Sequence, residues 1–169
     1  PYLNAGTTTS SPPSTCLSKT VLLKLLAQDG QIIKSLDSPL KKDRDLVLAA
    51  IKQNAYATLE YVDDRFKKDK GIVLAAVKQN GYALQSADAS FKNDREVALA
   101  AVKQGGYALE LADNRFKKDR EIVLAAVEQA PRVLLLVDDE LKTDREIVLA
   151  AVKQDGLTLI HADDELKKD

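Results

Sequence analysis

Asp94-Arg95-Glu96-Val97-Ala98-Leu99-Ala100-Ala101-Val102-Lys103-Gln104 returns 25 residues later as Asp119-Arg120-Glu121-Ile122-Val123-Leu124-Ala125-Ala126-Val127-Glu128-Gln129, and again at Asp144 through Gln154. Self-similarity at a fixed period defines an array of stacked units, and it outranks any local assignment. Moving toward the N-terminus, Asp69 opens the preceding unit at the same spacing and Asp43 the one before at 26 residues, the extra residue falling near Thr58. A diverged first unit begins at Ser18, where Val21, Leu26, Gln28, Gly30, Asp37 and Leu40 fill the offsets of Val97, Val102, Gln104, Gly106, Asp113 and Phe116. Six units result, starting at positions 18, 43, 69, 94, 119 and 144.

Each unit carries its own start and stop signals. Asp119 followed by Arg120 and Glu121 is an N-cap with an acidic first turn, and the apolar run Ile122 to Val127 is a buried helix. Six apolar residues in a row leave no polar face, which suits a helix sandwiched between neighbours, with Ala125-Ala126 permitting close approach. A turn-forming pair comes next (Asn80-Gly81, Gly105-Gly106, Asp155-Gly156), and its glycine is expected to supply a left-handed C-cap. Tyr107 to Ala112 is long enough for a short helix packed back on the first. The motif Asp-x-x-Phe/Leu, as in Asp113 to Phe116, is an N-capped single turn with one apolar anchor. A leucine-rich β-solenoid of similar period needs an L-x-x-L-x-L strand and an Asn or Cys ladder, and neither is present. The fold class is therefore all-α, an α-solenoid of six helical-hairpin repeats of about 25 residues.

Residues 1–16 stand apart. Their run Thr7-Thr8-Thr9-Ser10-Ser11-Pro12-Pro13-Ser14 reads as a linker or extended arm and a second contact site, leaving 17–169 as the repeat domain. A chain that opens at Pro1 and contains no Met reads as processed or excised from a longer one, and Asp169 falls where a seventh unit would start, so a longer array or a partner is expected at that end.

The whole chain has 169 residues, 45% of them apolar and 30% charged, enough for one domain with a core. Lys and Arg number 25 against 26 Asp and Glu, so no net attraction to nucleic acid or an anionic membrane exists. No apolar run approaches the roughly 18 residues of a membrane span, and the chain reads as soluble. A single Cys, Cys16, excludes an internal disulfide framework.

The unit Asp-Arg-Glu-Ile/Val-Val-Leu-Ala-Ala-Val-Lys-Gln-Asn/Gly-Gly-Tyr-Ala-Leu-Glu, closed by Ala-Asp-x-x-Phe/Leu-Lys-x-Asp, resembles the tandem repeats of the domain of unknown function DUF4116 over about residues 18–169. The resemblance implies a helical repeat module used for interaction, and it brings no catalytic residue. The fifth unit departs from the pattern, with Pro131-Arg132 in place of Gly-Tyr and Leu134-Leu135-Leu136 in place of Leu-Glu-Leu, which marks a contact patch.

Candidate chemistry is sparse. The recurring aspartates read as N-caps, and no EF-hand spacing occurs. Gln28, Gln53, Gln79, Gln104, Gln129 and Gln154 share one offset, where they can form an amide ladder or bond a neighbouring unit's connection. His161 has no partners for a metal cluster or triad, and Cys16 has no nearby base. Tyr56, Tyr82 and Tyr107 come just after the connecting turn in consecutive units and are continued by Arg132 and Leu157. Such a row either anchors a partner or closes each unit's own core. Lysines recur at Lys52, Lys78, Lys103 and Lys153, and beside the turn at Lys67, Lys92, Lys117, Lys142 and Lys167; interleaved with tyrosines they would suit an RNA-reading repeat. The reading that results is a non-catalytic scaffold without cofactor or metal, binding a protein partner or large complex through Tyr56, Tyr82, Tyr107, Arg132 and Leu135. A recognition module of a longer effector-like protein and an RNA-binding repeat are the alternatives.

Overall fold

The computed structural model describes residues 17–168, and every regular element among them is helical. The arm Pro1 to Cys16 and Asp169 lie outside the described residues. Each unit opens with a longer helix: Lys19–Gln28, Arg44–Tyr61, Lys70–Val77, Arg95–Gln104, Arg120–Gln129 and Arg145–Gln154. Consecutive long helices pack on one another in chain order. The anticipated N-caps are all in place. Asp119 Oδ1 accepts from the backbone N–H groups of Glu121 at 3.2 Å and Ile122 at 3.3 Å, and Asp43, Asp69, Asp94 and Asp144 act likewise at their own helices.

The connection differs from expectation. None of the described glycines has a positive φ, and Gly105 is extended at φ −161°. The helix closes on this extended residue, whose N–H reaches the Ala101 carbonyl at 3.0 Å. In other units the same position also caps the second segment: Asp29 accepts from the Gln31 N–H at 2.9 Å and Asp155 from the Leu157 N–H at 3.1 Å. One residue ends one helix and starts the next.

The glycine after it is required by packing. A Cβ on Gly81 would run into the carbonyl oxygen of Ala101, one on Gly106 into that of Ala126, and one on Gly30 into that of Ala50. In each case the carbonyl belongs to the next unit's long helix. The second segment is a 3-10 helix in five units: Gly30–Ser35, Gly81–Ser86, Gly106–Glu110, Pro131–Leu136 and Gly156–His161. The second unit is the exception. There the helix Arg44–Tyr61 runs through the corner, Asn54 alone leaving helical dihedrals at φ −148° and ψ 85°. The 26-residue spacing has its cause here, because an α-turn holds more residues than a 3-10 turn. Thr58, where the extra residue falls, is buried, and its hydroxyl donates to the Asn54 carbonyl at 2.5 Å.

The core is one continuous cluster running along the array. From the fourth unit it takes Val97, Ala98, Ala101 and Val102 of the long helix, Ala108 and Leu109 of the 3-10 segment, and Phe116 of the final turn. The long helices are not sandwiched on all sides, however. Leu99 and Ala100 are half-buried, as are their equivalents in most units, so an apolar stripe faces outward.

Units are tied by three bonds, of which the fixed offset of the glutamines foreshadows only the last. The second residue of a unit clamps the first and third residues of the next: Arg95 Nε lies 2.7 Å from Asp119 and its Nη2 2.7 Å from Glu121, and Lys70 reaches Asp94 and Glu96, each at 2.8 Å. A backbone ladder joins the turns, with the N–H of Asp88, Asp113, Asp138 and Asp163 donating to the carbonyls of Lys67, Lys92, Lys117 and Lys142. The glutamine row supplies the third. Gln104 Nε2 donates to the Lys78 carbonyl at 2.6 Å and Gln154 Nε2 to that of Glu128 at 3.2 Å, each covering the C-terminal end of the preceding helix.

Candidate functional site

A 3-10 helix has three residues per turn, so residues three apart stand above one another. In the segment Gly81–Ser86 this turns Gly81 and Leu84 inward and leaves Tyr82 and Gln85 in one exposed column. The later units repeat the geometry with Tyr107 and Glu110, Arg132 and Leu135, and Leu157 and Ile160. The second unit reaches the same result by α-helical spacing, with Tyr56 and Glu60 exposed. Adjacent columns meet, since the Tyr56 hydroxyl donates to Gln85 Oε1 at 3.5 Å.

All five residues singled out in the sequence therefore lie on one edge. Tyr56, Tyr82 and Tyr107 are 38%, 46% and 38% exposed, so they do not serve to close the core. Leu135 is 58% exposed, and Leu157 and Ile160 are each 69% exposed. The edge thus passes from tyrosines alternating with polar residues to an apolar end formed by Leu135, Leu157 and Ile160. Sequence reasoning had Leu157 in the row and missed Ile160, which only the three-residue period brings beneath it.

Arg132 occupies the centre of that end. Its Nε donates to Asp155 at 2.9 Å, a bond that raises the guanidinium pKa and holds the Asp155 carboxyl below its ordinary range. Asp155 is thereby fixed twice, by the guanidinium and by the Leu157 N–H. Arg132 stays exposed on its other side and lines a shallow cleft with Leu157, Thr158, Ile160 and His161.

The lysine row occupies a different surface. Lys52, Lys78, Lys103 and Lys153 line shallow grooves between successive long helices, floored by leucine and alanine such as Leu99 and Ala100, and no tyrosine lines these grooves. Of the turn lysines, Lys67, Lys142 and Lys167 pair with Asp64, Asp139 and Asp164 three residues before them. The interleaving of lysine and tyrosine suggested by the sequence is divided between two surfaces.

Among the described residues no group of three or more His, Cys, Asp or Glu is placed to hold a metal ion, and no buried side-chain nitrogen or oxygen lacks a hydrogen-bond partner. No described helix is long and apolar enough to cross a membrane.

Stacked helix–3-10–turn units with a regular outward column define a helical repeat protein. The chain belongs to the family described as domain of unknown function (DUF4116), whose profile matches residues 18–67, 56–92, 69–117, 94–142 and 119–167. Three of these matches start 25 residues apart and each spans two units, so the family profile is a pair of the repeats described above. No curated protein and no solved structure matches the chain.

Proposed function

We propose that this chain is a non-catalytic scaffold that binds a protein partner along its 3-10 edge, as an accessory subunit of a larger assembly. One observation carries the reading. The edge presents Tyr56, Tyr82, Tyr107, Arg132 and Leu135 at repeat spacing, each of them exposed. Tyrosine and arginine dominate binding energy at protein interfaces, and contiguous exposed apolar side chains mark such interfaces. The near balance of charge and the separation of lysines from tyrosines favour protein over nucleic acid as the partner.

Affinity purification from the native source tests this, with the wild-type chain beside a Tyr107→Ala/Leu135→Ser variant and a nuclease-treated sample. A protein retained by the wild type after nuclease treatment and released at least tenfold more readily by the variant supports the reading. Since both positions are exposed, circular dichroism of the variant should be unchanged. Proteins lost on nuclease treatment, or retained equally by the variant, would overturn it.

A further inference from the structure

Each long helix carries the same outward stripe. Its third, sixth, seventh and tenth unit positions fall on one helical face, and in the fourth unit these are Glu96, Leu99, Ala100 and Lys103. Side by side, the stripes make a band of leucine and alanine with an acidic rim along one side and a basic rim along the other. Grooves of about 370, 390 and 420 Å³ score the band between helices. The acids Asp45, Glu96, Glu121 and Glu146 are exposed, and each gives one carboxylate oxygen to the cation of the preceding unit. Lys52, Lys78, Lys103 and Lys153 are exposed and have no ion pair among the described residues. From the second unit to the sixth, each rim is broken once. The third unit has Gly71 where the acid belongs, and the fifth has Glu128 where the lysine belongs.

Such a stripe is complementary to itself when turned end for end. Positions three and ten exchange, as do six and seven, so each acid meets a lysine and each leucine meets an alanine. A two-fold axis produces this arrangement, and the two breaks select its register. With the axis through the fourth unit, Lys103 faces Glu96 of the other copy, and Leu99 packs on its Ala100. The third unit then faces the fifth, which brings Lys78 to Glu121, and the second faces the sixth, which brings Lys52 to Glu146 and Lys153 to Asp45. Glu128, the one acid in the basic rim, meets Gly71, the one gap in the acidic rim. Other registers lose this match. An axis between the third and fourth units sets Glu128 against Asp45, and one between the fourth and fifth sets it against Glu96.

We propose that two copies of this chain associate through the outward faces of their long helices, antiparallel, about a two-fold axis at the fourth unit. A polyanion is the wrong occupant, because an acidic rim runs beside the basic one. The proposal is independent of the 3-10 edge as a binding site, since it uses a different surface.

Sedimentation of the whole chain over a range of concentrations tests this. The wild type should pass from monomer to dimer as concentration rises. Lys103→Glu sets like charges against each other twice at the axis and should weaken dimerisation at least tenfold. Gly71→Glu is the more discriminating change. Within one chain it gives Arg44 a second carboxylate, as the cations of the other units have, and the added Cβ meets only side-chain atoms of Arg44 and Asp69. The urea midpoint of the monomer should therefore not fall. Across the interface the new acid confronts Glu128, so dimerisation should weaken at least tenfold, and adding Glu128→Lys should restore it. Positions 71 and 128 lie two units apart in one chain, too far to couple except through another copy. A chain that stays monomeric up to its solubility limit would overturn the proposal, even if its lysines take up polyglutamate or RNA. So would a dimer indifferent to Lys103→Glu, or effects of Gly71→Glu and Glu128→Lys that simply add.

Discussion

One aspartate per unit does two things at once. Asp119 caps its own helix through two backbone N–H groups and receives the Arg95 guanidinium of the preceding unit. Asparagine preserves the cap and removes the charge, whereas alanine removes both. Asp119→Ala should therefore cost about 1 kcal/mol through the cap alone, and Asp119→Asn less, with a deficit that shrinks in high salt; urea titration of both variants at two ionic strengths checks the order. The neighbouring glycines make a second contrast. Gly106→Ala drives a methyl into the Ala126 carbonyl and should destabilise by roughly 1–3 kcal/mol. Gly105 faces open space, is extended, and lacks the side-chain cap that Asn80 supplies one unit earlier. Gly105→Asn should stabilise by about 0.3 kcal/mol through the cap, visible as a higher urea midpoint. Adjacent glycines thus have opposite expected signs.

At the level of the element, the long helix and the turn were legible because their signals are local. Asp at the cap, an acidic residue in the first turn and an unbroken apolar run act within a few residues. The corner was not legible, since glycine after a helix most often serves a left-handed cap, and here the carbonyl that excludes a side chain comes from another unit. The 3-10 form of the second segment was hidden for a related reason. Tyr107-Ala108-Leu109-Glu110 satisfies either helix type, and the choice comes from fitting Leu109 and Ala112 into the core within the available length. The consequence for the site is direct. The tyrosine row was visible in the sequence, but its column with residues three positions on, and so the place of Ile160, depended on the helix type. Deleting Thr58 tests this dependence. The second unit should then adopt the 3-10 form of its neighbours and lose little beyond the Thr58–Asn54 hydrogen bond, about 1 kcal/mol. Amide exchange would show Tyr56 still exposed and Leu59 still protected.

For the whole molecule, the repeated carboxylates give a shared response to acid. Asp43, Asp69, Asp94, Asp119 and Asp144 all have folded pKa values lowered, first by the cation from the preceding unit and then by their own capped N–H groups, against an opposing effect of burial. A carboxylate lowered on folding contributes stability that is complete above the unfolded value, near 4, and is lost as pH falls through the lowered folded values. The urea midpoint should be flat from pH 7 to about 5 and fall steeply below about 4. A midpoint unchanged at pH 2 would refute the coupling. Protonation removes caps and clamps together, so loss should be more cooperative than either alone would produce. The array period and the number of units were plain from the sequence, and the glutamine row hinted at one joint; the clamp and the backbone ladder were hidden, because each is formed by residues that are unremarkable within their own unit and matched only across the boundary.

The second unit shows how such an array absorbs a change in length. Six residues of 3-10 helix advance about 12 Å, and one residue more of α-helix advances about 10.5 Å, so residues 55–61 span nearly what Gly81–Ser86 span. An insertion at this corner is therefore phase-neutral. It alters the winding of one segment and passes no displacement to the units beyond, which lets neighbouring repeats diverge in length while the outward tyrosines keep their alignment.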